Sequence, residues 1–106
     1  MSKYVSVLRE GVVCTATLAT CDEILYTDKA GGYFTVPSGS SITSITWHAA
    51  VKSGGTFLPA NDENQVAITQ TVAAGEGYEV PKALAGAGAL KAKTNATGTI
   101  DINTKY

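Results

Sequence analysis

Apolar and polar residues alternate along most of the chain with a period of two. In the stretch 44–51 the apolar set is Ile45, Trp47, Ala49 and Val51, and the intervening set is Ser44, Thr46, His48 and Ala50. Because successive side chains of a β-strand point to opposite faces, this pattern predicts a strand with one buried face. Trp47 is then expected in the core, and the adjacent His48 is expected on the exposed face.

The same alternation recurs in short segments separated by turn residues. These segments are "YVSVL", "GVVCTATLAT", "EILYT", "YFTVP", "TFLP", "QVAITQTV", "LKAKT" and "TIDIN". In "QVAITQTV" the inward residues are predicted to be Val66, Ile68 and Val72, and "LKAKT" and "TIDIN" are predicted to form a hairpin closed around residues 96–98. Pro81 begins the one stretch with helical character, which is long enough for a single turn.

Short strands at spacings of about ten residues predict an all-β fold. We expect an antiparallel β-sandwich or jelly-roll-like domain of about eight short strands with one short helical turn. A single domain is expected over residues 1–106. For residues 1–20 two alternatives stay open: a first strand of the sandwich, or an arm that extends onto a neighbouring subunit.

The charge of the chain excludes some partners. The formal net charge is −1, and the eight basic residues are scattered rather than clustered, so the sequence lacks the basic stripe of a nucleic-acid-binding protein. No basic amphipathic face or apolar run long enough to enter a membrane is visible. Arg9 and Glu10 interrupt the region where a secretory signal would be apolar, so synthesis in a cytoplasm without a signal peptide is expected. A charged fraction of 16% leaves little to repel a neighbour and favours assembly.

Catalytic chemistry has little support in the sequence. His48 has no matching nucleophile in a recognisable pattern, and the polar loop "NDEN" (61–64) lacks the ligand spacing of a calcium loop. Cys14 and Cys21 are predicted to be buried free thiols, because "TATLAT" between them contains no Gly or Pro for a turn that would bring them together. We therefore expect a protein that is not an enzyme and that has no catalytic residue, metal or cofactor.

Three tyrosines lie next to predicted loops and are the candidate binding residues. Tyr26 precedes "TDKAGG", Tyr33 follows it, and Tyr78 follows "AAGEG". Exposed aromatic side chains can stack on sugar rings or anchor protein interfaces. The alternative is structural: the rings pack over the ends of the sandwich with their hydroxyl groups in water.

Two long stretches of the chain resemble a family of viral proteins. The succession "YTDKAGGYFTVPSGSSITSITWHAAVKSGGTFLP", followed by "QVAITQTVAAGEGYEVPKALAGAGALKAKTNATGTIDI", is similar to small β-sandwich accessory proteins of tailed bacteriophage virions, of the decoration (cement) or fibre type. The resemblance covers roughly residues 26 to 102. It implies a structural role in the virion, often as a trimer, and it assigns no functional residues.

Two functions remain open at this point. The first is a capsid decoration protein that binds and stabilises the phage head lattice as a homo-oligomer, with the trimer favoured, and whose partner is the major capsid protein or another virion protein. The alternative is a carbohydrate- or receptor-binding module of a phage tail fibre or of a bacterial surface-binding protein, with a glycan as the partner. The first places the protein in the virion.

Overall fold

The computed structural model describes residues 6–105, which form nine β-strands and two short 3₁₀ helices. The strands are β1 (Ser6–Cys14), β2 (Ile24–Leu25), β3 (Gly31–Thr35), β4 (Ser44–Ala50), β5 (Leu58–Pro59), β6 (Thr69–Thr71), β7 (Gly77–Glu79), β8 (Ala89–Thr94) and β9 (Gly98–Lys105). The helices are Leu18–Thr20 and Lys82–Leu84, and the second follows Pro81 as the sequence predicts.

The strands form two antiparallel sheets. Sheet A has the strand order β1-β9-β3-β7, and sheet B has the order β2-β8-β4-β5, with β6 also paired to β4. The prediction of an all-β antiparallel sandwich is therefore confirmed.

The core lies between the two sheets. Trp47 on β4 is fully buried, and its ring meets that of Phe34 on β3 edge-on, with centroids 5.7 Å apart and planes at 72°. The indole nitrogen does not lose its hydrogen bond on burial, because Nε1 donates to Oε1 of Gln70 at 2.7 Å. Inward-facing residues of β8 and β9 complete this core from opposite sides: Leu90, Ala92, Ile100 and Ile102.

The predicted hairpin between "LKAKT" and "TIDIN" is wrong. Strand β8 pairs with β2 and β4 in sheet B, whereas β9 pairs with β1 and β3 in sheet A. The connection at residues 95–97 crosses from one sheet to the other, and the Asn95 side-chain oxygen accepts hydrogen bonds from the backbone N–H groups of Thr43 and Ser44, at 2.8 and 3.1 Å. Two consecutive strands, each with one apolar face, can form a hairpin in one sheet or belong to two facing sheets. The alternation pattern is the same in both cases and does not distinguish them.

Three predictions about single side chains are also wrong: the exposure of His48, and the inward direction of Val51 and Val66. His48 is 7% exposed instead of being a surface residue, because the neighbouring strands place Pro59 and Lys91 directly opposite it on either side. Val51 is 91% exposed, because β4 ends at Ala50 and the chain turns. Val66 is 59% exposed, because it lies in a loop that precedes β6.

Strand β1 answers part of the question about residues 1–20. Residues 6–14 are a strand of sheet A, paired with β9, while residues 1–5 lie outside the described part of the chain. The predicted run "GVVCTATLAT" stops being a strand at Cys14, because the Thr15 hydroxyl donates to the Thr17 carbonyl oxygen at 2.7 Å and accepts from the Thr17 N–H at 3.1 Å. This hydrogen-bonded threonine turn reverses the chain without Gly or Pro.

Candidate functional site

The three candidate tyrosines do not form one site. Tyr26 is 1% exposed and belongs to the core, Tyr78 is half-buried, and Tyr33 is 54% exposed. Tyr33 and Tyr78 lie on adjacent strands of sheet A but on opposite sides of the sheet, because Tyr78 pairs with the inward-facing Phe34. The three tyrosines therefore cannot bind one ligand together.

Tyr26 does not fit its predicted role as a binding residue. Its burial, together with the charge of Glu79, raises the pKa of the phenol above its ordinary value. The alternation of "EILYT" is a signal for the burial of Tyr26. Ile24 and Tyr26 share one side of the segment, and Leu25, which is 56% exposed, lies on the other.

Tyr78 has a structural role at the turn between β6 and β7. Its ring packs on that of Phe34, with centroids 5.7 Å apart. Its hydroxyl group accepts a hydrogen bond from the Ala73 N–H at 2.8 Å and donates to the Glu76 carboxylate at 3.3 Å. This is the structural alternative that the sequence left open for the tyrosines.

Tyr33 lies in a row of side chains that crosses the outer surface of sheet A. Its direct cross-strand neighbours are Asn103 on β9 and Glu79 on β7, and Leu8 on β1 lies opposite Asn103. Directly opposite residues of antiparallel strands project from the same face. We call the surface formed by Leu8, Tyr33, Glu79, Asn103 and Lys105 the Tyr33 face.

A glycine determines how the Tyr33 ring lies. A methyl group built on Gly77 would stand 2.5 Å from the Tyr33 hydroxyl oxygen and 2.7 Å from a ring carbon. The ring therefore lies down over the space that a side chain at position 77 would fill. The tip of the ring thus lies close to Gly77 of β7, and the Tyr33 side chain as a whole stays 54% exposed to solvent.

The Tyr33 face contains a shallow hollow of about 420 Å³. Its lining combines three small residues with the Tyr33 ring and polar side chains: Ala30, Gly31, Gly32, Tyr33, Glu79, Asn103 and Lys105. Among residues 6–105, Oδ1 of Asn103 is a buried side-chain oxygen without a hydrogen-bond partner. Buried polar atoms are normally paired, so this oxygen is an unused acceptor beside the hollow.

A second cavity opens between the sheets at one edge of the sandwich. It has a volume of about 280 Å³ and is lined by Val7, Arg9, Ile24, Leu25, Thr27, Lys29, Ile102 and Thr104. Its rim carries exposed apolar side chains, with Val7 37% and Leu25 56% exposed. Strands β1 and β2 are edge strands of their sheets, so we call this region the open edge. Sequence patterning does not identify it, since Val7 and Leu25 resemble ordinary strand residues.

His48 lies beside a hollow on the outer side of β4. Nδ1 of His48 lies 3.4 Å from the Thr46 carbonyl oxygen, and the hollow beside it is lined by Ser44, Thr46, Pro59, Lys93, Thr94 and Asn95. Trp47 and His48 point to opposite sides of β4: Trp47 enters the core, and His48 lines that outer hollow. Within the part of the chain that the structure describes, no three His, Cys, Asp or Glu side chains gather as metal ligands do, and no helix is long and apolar enough to span a membrane.

The two cysteines are buried and unbridged. Burial is the main cause that raises the pKa of the Cys14 thiol to about 12, with smaller contributions from Cys21 and Asp22. The Cys21 sulfur lies 3.4 Å from both the Thr15 nitrogen and the Ala92 carbonyl oxygen, so it is enclosed by backbone groups. A thiol with such a high pKa is almost entirely protonated at neutral pH and is a poor nucleophile.

Comparison with known proteins relates the fold to one solved structure. No protein-family model matches the chain, and no curated protein is similar to it in sequence. The crystal structure of the SPBc2 prophage-derived protein YomS has a similar fold, with a TM-score of 0.60 over 100% of this chain and 97% of that chain. The sequence identity is 9%, so the similarity concerns the fold alone.

Proposed function

We propose that this chain is a non-enzymatic structural protein of a bacteriophage virion that binds the head lattice as a capsid decoration protein. The observation that carries the proposal is the full-length similarity in fold to a prophage-derived protein. The resemblance of residues 26–102 to small virion accessory proteins supports the same role. The major capsid protein is the proposed partner, and a homotrimer is the proposed assembly.

The open edge is the proposed contact with the capsid. Exposed apolar side chains around a cavity mark interaction sites on otherwise polar proteins. An edge strand also offers unpaired backbone N–H and C=O groups to an extended segment of a partner. Val7 and Leu25 on the rim supply the apolar part of this contact, and β1 supplies the backbone part.

Such a protein stabilises a capsid by mass action. A molecule that binds the assembled shell and not the free subunits shifts the equilibrium toward the shell. In a trimer three weak contacts act at high effective concentration, so each open edge needs only modest affinity.

The proposal is tested by mixing the purified protein with undecorated capsids of the phage that encodes it. We expect the protein to co-sediment with the capsids and to raise the temperature at which they lose their contents. Multi-angle light scattering of the free protein tests the trimer. Absence of both co-sedimentation and heat protection contradicts the proposal.

Two matched variants locate the contact. Leu25→Asp places a charge on the rim of the open edge, whereas Leu58→Asp places one on a residue of similar exposure, 62% against 56%, away from that edge. Co-sedimentation is expected to be lost with the first variant and kept with the second. If both variants bind capsids equally well, the contact does not lie at the open edge.

A further inference from the structure

We propose that the Tyr33 face is a binding site for a neutral sugar ring, separate from the proposed capsid contact. Tyr33 provides the stacking surface, and Asn103, Glu79 and Lys105 provide hydrogen-bonding groups around it. The ligand class is a neutral pyranose, either free or at the end of a glycan chain.

The first argument is the position of the Tyr33 ring. Gly77 leaves the space in which the tip of the ring lies, so the ring leans toward β7. The side chain is nevertheless 54% exposed. A ring that is already positioned against a neighbouring strand can receive the apolar C–H face of a pyranose at little cost in conformational entropy.

The second argument is the ring of polar groups. A pyranose carries hydroxyl groups around its edge, and these need donors and acceptors beside the stacking surface. Asn103 and Glu79 stand directly opposite Tyr33 on its two neighbouring strands, and Lys105 lines the same hollow. The unpaired Oδ1 of Asn103 gains a partner if the amide turns toward a sugar hydroxyl.

The third argument is charge, which selects neutral sugars over acidic ones. Glu79 and Asp101 both project from this side of sheet A, and Lys105 is the cation that lines the hollow. The carboxylate of Glu79 forms an exposed ion pair with Lys82, with the N and O atoms 4.0 Å apart, and such surface pairs contribute little energy. With one carboxylate and one ammonium group in its lining, the hollow offers a sialic acid or phosphate group no excess of positive charge.

The site does not overlap the open edge. The Tyr33 face is on the outer side of sheet A, whereas the cavity of the open edge lies between the sheets and is lined by the inward residues Ile24 and Ile102. A molecule bound to a capsid through its open edge could keep the Tyr33 face exposed to the surroundings. Failure of capsid binding and failure of sugar binding are therefore distinguishable.

The test is an NMR titration of the full chain with the neutral probes maltotriose and cellotriose and the acidic probe sialyllactose. Amide shifts are expected at residues 31–33, 79 and 103 with at least one neutral probe, and weaker shifts with sialyllactose. Tyr33→Ala is expected to weaken binding about tenfold or more, whereas Tyr33→Phe, which keeps the ring, should change it less than about threefold. Phe57→Ala is the matched control, since Phe57 is a half-buried aromatic residue of the other sheet region and should leave binding unchanged.

Three results would overturn the proposal. The first is that neither neutral probe shifts any amide signal at about 20 mM, and that the protein binds no glycan on an array of neutral glycans. The second is sugar binding that Tyr33→Ala leaves unchanged, with the folded state of the variant verified by its amide spectrum. The third is a proline-rich peptide that shifts the same amides at lower concentration than any sugar, since that result would assign the face to a protein partner.

Discussion

The outer faces of the two sheets differ in the aromatic rings and unpaired polar groups that they offer to a ligand. On sheet A, Tyr33 is exposed and Asn103 keeps an unpaired oxygen. In the sheet B region the aromatic residue Phe57 is already covered, because Nζ of Lys91 lies 4.8 Å from its ring centroid. One face therefore offers an aromatic surface to a ligand, and the other uses its aromatic ring in an internal contact.

Hydrogen bonding separates the two faces in the same way. On sheet B the hydroxyl groups of Thr46 and Thr69 lie 3.4 Å apart, and Lys91 donates to the Leu18 carbonyl oxygen at 3.3 Å. Polar groups that already have partners gain little from a ligand. Exposure alone thus says less about binding than the number of unused contacts on a surface.

The interior that both faces share gives the largest expected effect. Trp47→Ala removes the largest fully buried side chain, and we expect it to lower the free energy of unfolding by about 3–5 kcal/mol, as measured by denaturant titration. Leu58→Ala, at a residue that is 62% exposed, should change it by less than about 0.5 kcal/mol. A small loss in the Trp47 variant would mean that other residues hold the two sheets together.

The same interior predicts a loss of stability at alkaline pH. Burial raises the pKa of Cys14 from 9.0 to about 12, so the unfolded chain releases this proton at lower pH than the folded chain. Above pH 9 the stability therefore falls, by up to about 1.4 kcal/mol per pH unit until the folded-state pKa is reached.

Unfolding titrations between pH 8 and pH 11 check this effect against a Cys14→Ala variant. The variant should show a shallower decline, because other groups still titrate but this one does not. Parallel pH profiles of the two proteins would contradict the assignment to Cys14.

Two glycines on the strands next to the Tyr33 ring, Gly77 and Gly31, provide the next comparison. Gly77→Ala places a methyl group 2.5 Å from the Tyr33 hydroxyl oxygen, whereas a methyl group on Gly31 meets nothing within 4 Å. We expect Gly77→Ala to cost about 1–3 kcal/mol of stability and to weaken sugar binding. Gly31→Ala should cost less. Combining Gly77→Ala with Tyr33→Ala should remove much of the stability cost, as a double-mutant cycle would show.

The smallest expected effect is on sheet B. Lys91→Ala removes the cation above Phe57 and should cost about 0.5–1 kcal/mol. Lys93→Ala, at an exposed residue on the same side of β8, should change the stability by less than that. Equal effects of the two substitutions would mean that the contact with Phe57 contributes nothing measurable.

Period-two patterning predicted local geometry well and long-range pairing poorly. It assigned Ile45 and Trp47 to the buried face of a strand because both alternate with polar neighbours, and both are fully buried. It could not show that β8 and β9 belong to different sheets, because pairing depends on which distant strands compete for each edge. The face of His48 was predicted correctly, but its burial was not, because that burial comes from Pro59 and Lys91, which are close in space but not in sequence.

The candidate site was predicted only in part. Tyr33 was identified from its place beside a loop, yet Tyr26 and Tyr78 had the same signal and different roles. What distinguishes Tyr33 is Gly77, a residue 44 positions away whose missing side chain leaves room for the ring. The sequence contains both residues, but only the register between β3 and β7 brings them together.

The position of β9 in sheet A has a consequence for how the protein is made. This strand comes last of the nine in chain order, yet it lies between β1 and β3 and pairs with both. Strand β1 leaves the ribosome before the other eight strands. Its apolar side therefore has no partner from β9 until the end of synthesis. Long-range pairing of this kind slows folding, so chaperones that shield nascent β1 should raise the yield of folded protein.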